Sequence, residues 1–133
     1  MNAKGLRIKS FPVGEELVAE WTPAPEHSAF AGFLSGGIIS TLLDCHGNWA
    51  AAYALMRSAG SQRPPGTVTA ELEVRFQKPT PMGPLRVIAK AEEVRGNKVS
   101  VSGSVRAGEE VTAAMKGVFV AVKEGHPAFH RWE

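Results

Sequence analysis

From Gly36 to Arg57 the chain carries one unbroken helical pattern, and this segment restricts the possible folds more than any other. Apolar residues at Ile38, Ile39, Leu42, Leu43, Cys45, Trp49, Ala50, Ala52, Tyr53, Ala54 and Met56 cover most of the circumference. Such a distribution belongs to a helix buried on several sides. At ~1.5 Å per residue the helix is about 33 Å long, which is long for a chain of 133 residues. One stripe escapes the apolar cover. Ser40, Asp44 and Asn48 recur every fourth residue, with Gly37, Thr41, Gly47 and Ala51 beside them, so one helix face groups small and polar side chains around a single carboxylate.

Past the turn Arg63-Pro64-Pro65-Gly66 the period changes to two. Val68, Ala70, Leu72, Val74 and Phe76 alternate with Thr67, Thr69, Glu71, Glu73, Arg75 and Gln77, the mark of a half-buried strand. By simple alternation Thr69 lies on the outer face. Pro79, Pro81, Gly83 and Pro84 end that strand, and Leu85, Val87, Ala89 and Ala91 form the inward side of the next. Gly96-Asn97 and Gly108-Glu109 are hairpin signals. They lead to strands with Val99, Val101, Gly103 and Val105, then Val111, Ala113, Met115, Gly117, Phe119 and Ala121, inward. Residues Val118 to Val122 are apolar on both faces, which predicts cover on both sides or burial at a subunit contact. Upstream, Leu17 to Trp21 is a short strand that stops before Pro23 and Pro25, while Thr22 to Leu34 and Ser58 to Gly66 read as loops. The expected fold is therefore α+β, with an antiparallel sheet of about five to six strands curled around one central helix. The polar stripe should then face a neighbouring subunit or a ligand channel rather than the concave sheet.

With 44% hydrophobic and 21% charged residues, the chain suits one domain over 1–133, with its core at about 17–122 and a tail at 123–133. Cys45 is the only cysteine, which fits a reducing compartment and excludes a Cys-based metal cluster. The net charge of +2 comes from scattered Lys and Arg. No nucleic-acid footprint stands out, though a mild positive bias suits a phosphorylated small ligand. Neither a secretory signal nor an apolar run of the ~18 residues needed for a membrane span is present, so a cytoplasmic protein is expected. The tail holds His126 and His130, read as part of a disordered or strand-capping segment rather than as metal ligands.

Several residues have chemistry to offer. Gly36 and Gly37 at the helix start expose backbone N–H groups, aided by the helix dipole, to a ligand that can approach closely because neither has a Cβ. Asp44 on the polar stripe can act as nucleophile or general base. Ser35 lacks a G-x-S-x-G setting and reads as an N-cap. Cys45 and His46 neighbour Asp44 in sequence but point about 100° apart around the helix, and read as packing residues.

The order strand, loop, Gly-Gly-headed helix with an internal Leu-Leu-Asp, then antiparallel meander resembles the hotdog thioesterases, and best their phenylacetate-pathway-type branch. That branch opens its helix with G-x-x-H-G-G and sets an acidic residue seven positions after the second glycine; Gly32, Gly36, Gly37 and Asp44 fall at those places. The stretch Val68 to Phe76 followed by Pro79 resembles the family's second strand, with Thr69 at a Ser or Thr position. The resemblance implies an acyl-CoA thioesterase acting on a small or medium acyl group without metal or redox cofactor, coenzyme A being part of the substrate. It implies an oxyanion donor at Gly36, Asp44 as the reacting carboxylate, and Thr69 of a second subunit orienting the water or the carboxylate, hence a homodimer or a dimer of dimers. Ser35, Gly37, His27, Asn48, Arg75 and Lys78 are the substrate-binding candidates, with Arg95 and Lys98 further possible phosphate contacts. Two positions depart from the pattern: Ser35 stands in place of the H-G-G histidine, and Ala29 where many relatives carry Asn or Gln, with His27 or Ser28 the candidates to replace that amide. The rival readings are a non-catalytic acyl-CoA binding protein, a hotdog hydratase or dehydratase, and a structural subunit of a larger assembly.

Overall fold

The computed structural model describes residues 10–129, 131 and 132. Six strands, β1 (Ser10–Val13), β2 (Glu16–Trp21), β5 (Thr67–Phe76), β6 (Leu85–Arg95), β7 (Lys98–Ala107) and β8 (Glu110–Ala121), form one antiparallel sheet. Their order is β1-β2-β6-β7-β8-β5. The helix α1 (Gly36–Ala59) packs against β2 and against β5 to β8. One long helix wrapped by a curled antiparallel sheet is the hotdog fold. None of the helices among the described residues is long and apolar enough to cross a membrane.

No proline interrupts α1, and it runs two residues past its expected end. Gly60 stops it by adopting φ +64°, a left-handed cap that lets Gly60 N–H and Ser61 N–H reach the carbonyls of Arg57 and Met56. The centre of the helix rests on two large side chains from β8. A Cβ on Gly47 would lie 2.6 Å from the Phe119 ring and 3.0 Å from Met115 Cε, and one on Gly117 would lie 2.7 Å from the same ring. These glycines let α1 settle onto the sheet with Phe119 fully buried.

Three features depart from the expectations. First, Ser10–Val13 adds an edge strand, paired with β2 around a turn in which Gly14 takes φ +64°. Second, the stretch expected as a loop, Thr22 to Leu34, contains a short helical turn at Pro25–His27 and a small hairpin of β3 (Ser28–Phe30) and β4 (Phe33–Leu34). Third, β5 does not alternate evenly. Thr69 pairs with Phe119 and Glu71 with Val118, leaving Ala70 as a bulge. The extra residue reverses the face of everything before it: Thr67 and Thr69 turn toward the helix, rather than Val68 and Ala70, while Val74 still packs on the core and Phe76 still reaches Gly36. On β8, Val118 and Val120 face away from the helix and are half-buried.

Candidate active site

The bulge at Ala70 gathers four polar side chains. Thr69 donates its hydroxyl to Asp44 Oδ1, and Asn48 Nδ2 donates to Thr69 Oγ1 at 2.9 Å and to the same carboxylate oxygen at 3.3 Å. Thr67 Oγ1 lies 3.1 Å from Asn48 Oδ1 and donates to it. The polar stripe of α1 therefore meets the sheet's own edge strand, and Thr69 comes from the same chain as Asp44 rather than from a second subunit. Asn48 is only 1% exposed, so its amide holds Asp44, Thr67 and Thr69 in place instead of projecting to a substrate. Asp44 itself is half-buried, and among the described residues nothing donates to its Oδ2. Ser40 is not part of this cluster, because its hydroxyl bonds back to Gly36 O at 3.0 Å.

At the start of α1, Ser35 occupies the N-cap with extended backbone, but its hydroxyl makes no capping bond. Among the described residues no side chain accepts from the N–H groups of Gly36 and Gly37, and both residues are exposed. In front of them opens a cleft of about 350 Å³, walled by Phe30, Phe33, Ile39 and Phe76 with Lys78 at its edge. The β3–β4 hairpin, held by Leu34 N–H to Thr80 O at 2.8 Å, forms one side. His27 is not in this wall. Its Nδ1 accepts from Ala24 N–H at 2.9 Å and its ring packs on Trp21, while Ser28 donates to Pro25 O. Both candidates for the missing amide are committed to their own turn.

Of the four candidate phosphate contacts, Arg75 pairs with Glu73 at 2.9 Å and Arg95 with Glu93 at 2.5 Å, both on exposed strand positions. Lys78, which faces the cleft, sits 3.4 Å from Glu110. Lys98 begins β7, away from the cleft. Burial, and then the neighbouring Asp44 carboxylate, push the Cys45 thiol pKa up, against an opposing pull from Arg131, so Cys45 stays a neutral thiol. His46 is 1% exposed; its Nε2 lies 2.8 Å from Leu17 O and its Nδ1 2.7 Å from Ser10 Oγ. It ties β1 and β2 to the helix and takes no part in the Asp44 cluster.

Alternation alone hides Thr67, although its spacing of two from Thr69 puts the pair on one side wherever the strand turns. In the tail, expected as a disordered or strand-capping segment, Arg131 and Trp132 make the cap. Arg131 Nη1 donates to Thr67 O at 2.5 Å and Trp132 Nε1 to Pro65 O at 2.8 Å, so the segment caps the start of β5 as a strand-capping tail would. His130 lies outside the described residues.

Comparison with known proteins agrees with this architecture. A family model described as thioesterase superfamily matches residues 31–114. A thioesterase superfamily protein from Shewanella loihica PV-4 superposes with a TM-score of 0.74 at 36% identity, over 88% of this chain and 92% of its own. A phenylacetic acid degradation-related protein from Ralstonia eutropha JMP134 shares the fold, with a TM-score of 0.71 at 19% identity over 87% of this chain and 86% of its own. So does a thioesterase from Haemophilus influenzae, at 0.76 and 16% over 91% of this chain and 84% of its own. No curated protein matches the sequence. With a family match spanning the helix, the Asp44 cluster and most of the sheet, and a solved relative above one-third identity, the chain belongs to the thioesterase superfamily.

Proposed function

We propose that the protein hydrolyses small or medium acyl-CoA thioesters in the manner of the phenylacetate-pathway branch, with Asp44 as the reacting carboxylate and the N–H of Gly36 as oxyanion donor. The observation that carries this reading is the asymmetric hold on Asp44. Oδ1 accepts from Thr69 and Asn48, whereas Oδ2 has no donor among the described residues. A carboxylate fixed by one oxygen keeps a lone pair of the other aimed and available. As nucleophile, Oδ2 attacks the carbonyl carbon, the C–S bond breaks, CoA thiolate leaves, and water opens the mixed anhydride. As general base, it takes a proton from the water that attacks. In a single turnover in ¹⁸O-water, label in the Asp44 carboxylate, with an unlabelled Asp44 oxygen leaving in the acid, marks the anhydride route with water attacking at Asp44 Cγ; a general base leaves all of the label in the released acid.

Helix geometry argues for a site completed by a second copy. Gly36 and Asp44 are separated by about 12 Å along the axis and about 80° around it. A single carbonyl contacting both a donor and an attacking oxygen at ~3 Å spans much less than that. An antiparallel pair of helices in a dimer would bring Gly36 of one protomer to Asp44 of the other, so the partner's contribution is the oxyanion donor while Thr69 serves its own chain. The apolar cleft before Gly36 suits an acyl or pantetheine group, and Lys78 at its edge suits a CoA phosphate.

The test offers purified protein a panel of acyl-CoA thioesters with a thiol reagent, alongside Asp44→Ala. Turnover that disappears in the variant supports the reading; equal turnover by both would sink it. Binding without turnover would instead favour an acyl-CoA binding protein, and hydration of crotonyl-CoA a hydratase.

A further inference from the structure

The C-terminal segment makes contacts that the proposed chemistry does not use. Successive turns, with Phe129 N–H on His126 O at 3.0 Å and Arg131 N–H on Ala128 O at 3.1 Å, fold it back over the entry to β5. It lies so close that a Cβ on Gly66 would sit 2.3 Å from Ala128 O. The Trp132 ring meets Trp49 of α1 edge-on at 5.1 Å, and the Arg131 guanidinium lies over the Trp132 ring at 4.6 Å. The segment thus ties helix and strand together at the two positions that adjoin the polar cluster. Trp49 follows Asn48 in α1, and Thr67 accepts from Arg131 through its carbonyl while its hydroxyl donates to Asn48.

We propose that this segment is a positioning strap, in which Arg131 and Trp132 clamp Pro65 to Thr67 onto α1 and so fix, through Thr67 and Asn48, the side-chain orientation of Asp44. The proposal rests on reading Asp44 as the reacting carboxylate. The physical need is specific. Among the described residues of its own chain β5 has a sheet neighbour on one side only, and Pro64 and Pro65 at its entry have no N–H to donate. Strand ends of that kind fray. Any fraying would release the Thr67 hydroxyl, then the Asn48 amide, and misplace a carboxylate whose reaction tolerates little displacement. Arg131 is exposed, so its removal leaves the core intact.

The experiment compares Arg131→Gln, Arg131→Lys and Trp132→Leu in the full-length protein, with Lys123→Gln as an exposed control. Two quantities are read: kcat and KM on the best acyl-CoA, and hydrogen-exchange protection of the Asn48 side-chain amide by NMR. The expected result is a kcat about tenfold lower in Arg131→Gln with KM changed less than about twofold, most of the loss regained in Arg131→Lys, and no further loss when Arg131→Gln is added to Asn48→Ala. Asn48 amide protection should fall in Arg131→Gln and Trp132→Leu. A shift in KM alone, losses that add to those of Asn48→Ala, or unchanged Asn48 protection overturns the strap. Should the wild-type protein turn over no acyl-CoA, the functional reading fails and the strap is decided by the NMR measurement alone, loss of protection upholding it and no change refuting it.

Discussion

Asn48 Nδ2 stands 2.9 Å from Thr69 Oγ1, and the same residue's Oδ1 stands 3.1 Å from Thr67 Oγ1. One buried amide therefore sets two strand hydroxyls and, through Thr69, one carboxylate. Replacing it with leucine removes the amide's bonds to Thr67, Thr69 and Asp44, while the Thr67 hydroxyl keeps the backbone carbonyl of position 48 at 3.2 Å, and a lost hydrogen bond of this kind costs about 0.5–1.5 kcal/mol. Asn48→Leu is expected to lose stability in that range by urea titration and to lower kcat more than it changes KM.

Asp44 is half-buried and its carboxylate carries the proposed reaction. Asp44→Asn keeps the shape and an acceptor for Thr69 while removing the charge, so folding should be retained by circular dichroism. Turnover should fall by about 10²–10⁴, the usual contribution of a positioned acid or base. A loss below tenfold in thiol-release assays would place the chemistry elsewhere.

Gly36 offers a sharper probe than most oxyanion donors. It is the first residue of α1, and Ser35 before it is already extended at φ −64° and ψ 135°, the backbone that a following proline requires. Gly36→Pro should fold, because proline suits the first helical position, yet it removes the N–H. A loss of about 2.7–4 kcal/mol in transition-state stabilisation is expected. Mixing this variant with Asp44→Ala under subunit exchange should restore about a quarter of wild-type activity, as each heterodimer rebuilds one complete site. No recovery would place both groups in one chain's site.

His46 should make stability depend on pH. Burial holds its folded-state pKa below the ordinary 6.5, opposed more weakly by the Leu17 carbonyl. Below pH 6.5 the unfolded chain thus binds the proton more readily than the folded one. The stabilisation is complete above that value and is lost as pH falls from there through the folded-state pKa, with a slope of at most about 1.4 kcal/mol per pH unit. His46→Gln should flatten this part of a urea-midpoint profile, and an unchanged slope would refute the assignment.

Gly47 sets two effects against each other. Alanine gains about 1 kcal/mol of helix propensity over glycine. The new Cβ, however, would sit 2.6 Å from a Phe119 ring that is 0% exposed and is also confined by Gly117, and overpacking of that kind costs about 1–3 kcal/mol. Net destabilisation of Gly47→Ala is expected in thermal melts, relieved when Phe119 is also changed to leucine.

Much of this molecule was readable along the chain because its elements are locally determined. The 36–57 periodicity, the Gly96 and Gly108 turns and the inward rows Val99 to Val105 and Ala113 to Phe119 all follow from spacing within one element. Ser10–Val13 is harder to read, since four residues that include Pro12 are too short a pattern to mark a strand; that strand exists because β2 offers an edge to pair with. The hairpin within Thr22 to Leu34 is similar, for its short strands gain their place from Thr80 and Pro81 across the cleft.

The long helix, with its glycine head and its single polar stripe around Asp44, is determined by residue order alone, because helical spacing is a local property. What the stripe faces is not. Ala70 is an ordinary strand residue in sequence, and only pairing with β8 shows that it is a bulge. That one unpaired residue turns Thr67 and Thr69 onto α1, where the buried Asn48 amide holds both hydroxyls. Register and bulges are decided between strands distant in the chain, and so the arrangement around Asp44 belonged to the tertiary structure.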